Sequence, residues 1–371
     1  MNILKKLYTY QKEAVTETFY NDKGIVCMPT GTGKSMCQSA IIGNDIHLNA
    51  NQFRMYVVNA PRILLTYQLL KDVYGFLTEN GIEARYMFVH SGTKADEQEL
   101  EEMRLQANLN GHKIKFSEIK TGTSTEAIRE MITDSKKQEL PLIFFSTYNS
   151  ANEIEKARKI YKQPISIVLN DEAHYLVQEQ FHDILHTLTS SRNYFFTATL
   201  INTPSENGRG MNNKDSYGKV LFKMIPREAI ELGKMVRPRL HIVKTEGVYT
   251  SDDYNKSISK IVSESFYQHD TFIGDKMGAK ILISMKGTMD IIKFLNSKEY
   301  KLLREDNVDI FAVASNEEVG NDVNGDKMSR QNFLKTLKKD ENEKLKRMIV
   351  LHYDTMAEGI SINGFTGIMP L

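Results

Sequence analysis

The chain has 371 residues, enough for two or three domains with cores of their own. Its 41% apolar and 26% charged residues are ordinary for a globular protein, while a formal net charge of +1 excludes a broadly basic surface, so any contact with nucleic acid must come from local patches or backbone N–H groups. Two cysteines, Cys27 and Cys37, exclude a disulfide framework or a zinc site and read as small buried residues. No apolar run approaches the roughly 18 residues of a membrane span, and no secretory signal follows Lys5 and Lys6. A cytoplasmic protein without membrane contact is expected.

In chain order, Leu4, Leu7, Tyr10, Ala14, Val15 and Phe19 recur at helical spacing and predict a short amphipathic helix within residues 1–22. It carries Tyr10-Gln11. A Gln amide can donate to and accept from an adenine edge, and an aromatic ring can stack on its face. Taken alone, Gln11 reads more simply as an exposed polar residue. The apolar run Gly24–Cys27 then leads through Met28, Pro29, Thr30, Gly31, Thr32 and Gly33 into Lys34-Ser35 and a helical pattern. A strand, a glycine-bearing loop and a helix are the context of a phosphate-binding loop. Gly31 and Gly33 let backbone N–H groups turn inward, Lys34 reaches outer phosphates, and the Ser35 hydroxyl suits Mg²⁺. Met28 stands where the strict pattern has glycine.

Short β-branched or aromatic runs follow at 53–59, 86–90, 142–147, 165–170 and 193–197, separated by helix-like segments. That alternation predicts a parallel sheet covered on both faces, with ligand sites outside the carboxyl ends of its strands. Residues 92–140 read as a polar insertion with a helix near Thr125–Thr133, and 203–217 as a glycine-bearing loop. A first domain is expected over 1–232, a hinge over 233–239 and a second α/β domain over 240–371. Strands of the second domain are predicted at 240–245, 280–285, 308–314, 348–353 and 367–371.

The strand Ile165–Asn170 ends in Asp171-Glu172-Ala173-His174 at the edge where the glycine loop also lies. Triphosphate hydrolysis needs a carboxylate to hold Mg²⁺ and a group to position the attacking water. Asp171 suits the first role and Glu172 the second. The loop and the acidic pair together are far more specific than either alone.

This ordered set resembles superfamily 2 helicases and translocases, whose two tandem RecA-like domains with mainly parallel sheets clamp ATP between them. Tyr10-Gln11 looks like the Q motif, Pro29–Ser35 motif I, and Ala60-Pro61-Arg62 with Gln68 motif Ia. Thr147-Tyr148 with Ser150 resembles motif Ic, Asp171–His174 the DEAH form of motif II, and Thr197-Ala198-Thr199 motif III. Ile281–Met285 is similar to motif IV and Tyr353–Ser361 to motif V. Tyr217–Val220 followed by Glu228–Gly233 looks like the interdomain segment of restriction-enzyme motor subunits and phage UvsW-type helicases.

The resemblance implies an ATP-dependent helicase or translocase that uses ATP and Mg²⁺ and acts on nucleic acid, DNA favoured over RNA. It implies that Gln11 reads adenine with Tyr8 or Tyr10 stacking, that Arg62, Thr147, Tyr148 and Thr355 touch the nucleic acid, and that His174, Thr197 and Thr199 couple that contact to the ATP site. Glu358 and Gly359 are expected to face ATP from the second domain. Ser361 stands where many relatives have Asp. The arginine-bearing motif VI, expected after 367–371, is missing, so an incomplete second domain with poor turnover is expected. An ATP-gated nucleic acid binding module, or the motor subunit of a restriction nuclease, is the alternative, with nuclease or replication and repair proteins as partners.

Overall fold

The computed structural model describes residues 3–50, 52–90, 119–237, 251–274, 277–314, 316–353 and 364–371. The chain divides into two compact units, Met1–Pro238 and Arg239–Leu371. No helix among the described residues is long and apolar enough to cross a membrane.

The first unit is built on eight parallel strands: β1 (Lys23–Cys27), β2 (Met55–Ala60), β3 (Arg85–Val89), β4 (Ile119–Thr121), β5 (Leu142–Thr147), β6 (Ile165–Asn170), β7 (Ser190–Thr197) and β8 (Lys219–Lys223). Their spatial order is β4-β3-β5-β2-β6-β7-β1-β8. Every residue of β2, β5 and β6 is buried, as interior strands of a sheet covered on both faces require. The edge strand β8 instead leaves Lys219, Val220 and Lys223 exposed.

Side chains alternate between two cores. Val26, Tyr56, Val58, Ile167 and Leu169 pack under α1 (Thr9–Phe19), α2 (Lys34–Leu48) and α3 (Ile63–Glu79). Met55, Val57, Phe144 and Val168 face α4 (Thr125–Lys137) and α5 (Ala151–Tyr161), which contribute Ile128, Met131, Ile132, Ile154 and Ala157.

Three features of this unit depart from the sequence reading. The helix expected near Thr125–Thr133 is α4, but the polar segment read as an insertion also adds β4 to the sheet beside β3, and α4 covers the core. A three-residue strand is too short to show a period, and α4 exposes its charged face. The segment Lys219–Val220, read as part of the link between domains, lies in a strand paired with β1. Phe19, expected on the buried face of α1, is 37% exposed.

At the amino ends of β2 and β7, Asp45 of α2 is buried and takes several donors. Arg54 reaches it through Nε at 3.1 Å and Nη2 at 2.8 Å, and the Tyr56 hydroxyl donates at 2.7 Å. Arg192 of β7 pairs with its other oxygen. Burial and the adjacent Asp45 push the Tyr56 phenol above its ordinary range, so it remains a donor. This cluster ties α2 to two strands at the end of the sheet opposite the glycine loop.

The second unit has a six-stranded mixed sheet of β9 (Lys280–Ser284), β10 (Asp309–Val313), β11 (Asn321–Val323), β12 (Asp326–Lys327), β13 (Met348–His352) and β14 (Gly367–Pro370), ordered β12-β11-β10-β13-β9-β14. Strands β10, β13, β9 and β14 run parallel; β11 and β12 are antiparallel additions. Asn324 (φ 60°) and Gly325 (φ 94°) make the turn between them. Asn-Gly is the strongest short-range hairpin signal, and the sequence reading passed over it. One face of the sheet packs against helices that supply Ile258, Val262, Phe266, Ile291, Phe294 and Leu303. The strand expected at 240–245 lies outside the described residues.

Candidate functional site

Because the first sheet is parallel, the carboxyl ends of β5, β2, β6, β7 and β1 line one edge in that order. Register makes the alignment concrete: Thr147 pairs with Ala60, Asn59 with Asn170, and Cys27 with Thr197. Buried amides reinforce it, with Asn59 Nδ2 donating to Asn170 Oδ1 at 3.2 Å and Asn170 Nδ2 to Asn193 Oδ1 at 2.7 Å.

The loop after β1 turns through two left-handed glycines, Gly31 (φ 82°) and Gly33 (φ 85°), and α2 begins at Lys34. Gly33 is doubly constrained, since an added Cβ would also lie 2.4 Å from Gln11 Nε2. The loop is held from below by α1. The Thr32 carbonyl accepts from the Tyr10 hydroxyl and from Gln11 Nε2, each at 3.0 Å, and Thr32 Oγ1 donates to the Pro29 carbonyl at 2.6 Å. Gln11 Oε1 in turn accepts from the Tyr8 N–H at 3.0 Å. Gln11 is therefore 4% exposed and not the surface residue its sequence context suggested. Thr30 and Gly31 face solvent, and Ser35 is half-buried. The N–H groups of the first turn of α2 open onto the loop, a ready site for an anion.

Lys34 and the acidic pair converge here. Lys34 is 8% exposed; its Nζ lies 3.4 Å from the Met28 carbonyl and 3.9 Å from Glu172 Oε1. Glu172 sits in the left-handed region (φ 46°, ψ 47°), where a residue with a side chain is strained. That backbone turns Glu172 out of the strand line. Asp171 stays buried: its N–H donates to the Asn59 carbonyl at 2.8 Å, and its carbonyl accepts from the Tyr148 hydroxyl at 2.6 Å. Gln38 Nε2 donates to Asp171 Oδ1 at 2.8 Å. Burial first, and then the neighbouring Glu172 charge, push the Asp171 carboxyl up to about 7, against the opposing pull of Lys34 and Gln38. Such a carboxylate is poised for a cation.

From Glu172 a polar chain runs toward β7. His174 Nδ1 lies 3.4 Å from Glu172 Oε2 and 3.2 Å from Thr197 Oγ1. Thr197 Oγ1 donates to the Thr199 carbonyl at 2.9 Å and accepts the Thr199 N–H at 3.1 Å. All three residues expected to couple the site to a second ligand are thus joined to Glu172.

The residues expected to touch nucleic acid fare unequally. Arg62 is exposed at the start of α3. Thr147 is buried and donates to Ser150 Oγ at 3.1 Å. Tyr148 is 1% exposed and packs with Ala173, Leu176 and Phe181, where its hydroxyl supports the Asp171 main chain. Burial and Asp171 push its phenol well above 10, which keeps it a donor. Thr355, Glu358 and Gly359 lie outside the described residues. Both cysteines are buried, as expected, and burial pushes Cys37 up to about 12.

Among the described residues, no cluster of three or more His, Cys, Asp or Glu side chains could hold a metal by itself. The donor set nonetheless suits Mg²⁺, which is commonly held by one or two carboxylates plus substrate phosphates. Asp171 and the Ser35 hydroxyl supply hard oxygens of that kind. Sequence reasoning missed Gln38, Asn59 and Asn170. Gln38 alone left a signal, lying four residues after Lys34 and so on the same helix face.

A parallel sheet that presents a lysine-bearing glycine loop after β1 and an acidic pair after β6 has the architecture of a superfamily 2 motor. The chain belongs to the family described as Type III restriction enzyme, res subunit, whose model matches residues 4–202, over half of its length. The ATP-dependent Type ISP restriction-modification enzyme LlaBIII, bound to DNA, superposes on 99% of this chain with a TM-score of 0.66 at 16% identity. Mss116p bound to ssRNA and AMP-PNP superposes on 98% of it with a TM-score of 0.50 at 15% identity. These likenesses are of fold. The chain spans 25% of the LlaBIII chain and 66% of the Mss116p chain. No curated protein matches it in sequence.

Proposed function

We propose that the chain is an ATP-driven translocase or helicase motor acting on DNA. The observation that carries this reading is the convergence of Lys34 and Glu172, 3.9 Å apart, at the carboxyl edge where the glycine loop opens. The loop N–H groups from Gly31 to Ser35 would bind the outer phosphates, with Lys34 neutralising their charge. Pro29, Thr30 and Thr32 shape that loop, and Gln11 with Tyr10 holds it, beside a Tyr8 ring that stacks on Tyr10 and has Lys234 Nζ 3.4 Å from its centre. Asp171 and Ser35 would hold Mg²⁺, which supplies charge neutralisation at the transferred phosphoryl group. Glu172 would orient the attacking water. Displacement of that carboxylate from Lys34 is passed through His174 to Thr197 and Thr199. Arg62 and Thr147 would grip the strand. DNA is preferred because the family is that of restriction enzymes and LlaBIII is a DNA complex. Nuclease partners follow from the same relatives.

The test measures ATP hydrolysis with single-stranded DNA, duplex DNA and RNA in turn. Stimulation by DNA supports the motor. Hydrolysis indifferent to all three refutes it, and binding of ATP and DNA with no hydrolysis makes the chain a gated binder. Lys34→Ala is expected to cut turnover by about 100-fold or more with the fold retained.

A further inference from the structure

Gln38 is a fully buried polar side chain with no part in the roles assigned above. It lies on α2 one turn beyond Lys34 and has no exposed surface. Its Nε2 donates to Asp171 Oδ1 at 2.8 Å, whereas its Oε1 is buried without a hydrogen-bond partner among the described residues. While Asp171 is ionised its carboxylate only accepts, so the amide then has to present Nε2 to it. An amide oxygen left unmet in the interior is destabilising, so packing alone would favour an aliphatic residue, as at neighbouring Ile41 and Ile42. The donor half of Gln38 must serve something the unmet half does not.

What it serves is the carboxyl group of Asp171. The Asp171 main chain is already held by the Asn59 carbonyl and the Tyr148 hydroxyl. Those contacts fix where the strand ends, and on the carboxyl group itself the Glu172 N–H is the strand end's own donor, leaving the other side of a broad Asp torsion to Gln38. Gln38 comes from a different element, the helix that begins at the phosphate loop. It therefore references the carboxylate to the loop and not to the strand. A shift of the loop is carried along α2 to Gln38 and so to Asp171 Oδ1.

We propose that Gln38 is a positioning residue that locks the Asp171 carboxylate to the phosphate-loop helix, so that the carboxylate meets a nucleotide-bound divalent cation already oriented. The proposal rests on the assignment of Asp171 to the metal side of a nucleotide site. Loss of a partner that orients a metal-binding carboxylate typically weakens metal affinity by about 10- to 100-fold.

The experiment titrates Mn²⁺ into the chain with saturating ADP, following bound Mn²⁺ by electron paramagnetic resonance, so no turnover is needed. Gln38→Met is expected to weaken Mn²⁺ binding by about 10- to 100-fold while ADP binding in EDTA and the thermal unfolding transition persist. In an Asp171→Asn background the same substitution should change Mn²⁺ binding no further, because its effect passes through that side chain. Should Gln38→Met fail to fold, Gln38→Leu makes the same comparison. A folded Gln38 variant that binds Mn²⁺ like the wild type overturns this proposal alone. A wild-type chain that binds no Mn²⁺ with ADP overturns the nucleotide reading and this proposal with it.

Discussion

Replacing Asp171 by Asn should make the protein more stable at alkaline pH while destroying its proposed chemistry. In the native state burial, then Glu172, hold the Asp171 proton up to about pH 7, whereas the unfolded chain releases it near 3.8. Between these values unfolding releases a proton, so the contribution to stability is greatest below 3.8 and declines as pH rises. The slope is about 1.4 kcal/mol per pH unit over about three units, a ceiling of about 4 kcal/mol lost above pH 7. Relaxation around the charge lowers that ceiling, and about 2–3 kcal/mol is the working expectation. The amide introduced by Asp171→Asn cannot ionise, has nearly the same shape as the carboxyl group, and its carbonyl oxygen still accepts from Gln38. Urea unfolding of both proteins in EDTA, without nucleotide, gives the difference; the chain has no Trp, so circular dichroism is the signal. The variant should be more stable by about 2–3 kcal/mol near pH 8, with the gap closing toward about pH 4. Parallel stability curves across that range would refute the idea that the buried charge is costly. Equal turnover by the variant would remove Asp171 from the site.

Glu172→Gln should bind ATP and fail to hydrolyse it, with turnover down by about 10²- to 10⁴-fold, read as retention of radiolabelled ATP in single-turnover filtration; normal release of product contradicts its role. Asp45→Ala leaves the buried Tyr56 and the half-buried Arg54 and Arg192 without their shared acceptor, and should cost up to about 3 kcal/mol in urea unfolding. A loss below about 1 kcal/mol would show that water satisfies those groups. Tyr148→Phe removes the donor to the Asp171 carbonyl and should cost about 1–3 kcal/mol of stability. Its affinity for DNA, measured by fluorescence anisotropy, should not change, and a marked loss would restore Tyr148 as a contact.

The strands of the first sheet were legible because interior parallel strands are apolar at every position. The segments at 53–59, 142–147 and 165–170 overlap β2, β5 and β6 almost residue for residue. Edge elements were not. The strand β8 exposes Lys219, Val220 and Lys223, β4 has three residues, and β11 and β12 have three and two, so only the Asn324-Gly325 turn between them left a signal. Lys34, Asp171 and Glu172 were legible because a phosphate loop and an acidic pair each have a fixed spacing along the chain.

What sequence alone determined is therefore local: which runs become strands, where the backbone must be glycine, and which strand ends carry chemistry. Tertiary structure decided which of those side chains reach the open edge. Gln11 and Tyr148 look alike on paper, polar or half-polar residues beside a motif, yet both are buried, holding up the loop and the Asp171 strand end. Their exposure depends on helices and strands distant in sequence, and no periodicity reports it. The same holds for Gln38, whose partner lies 133 residues away. Spacing can place a side chain on a helix face. Only the packed sheet, by setting α2 against the end of β6, decides what that face meets.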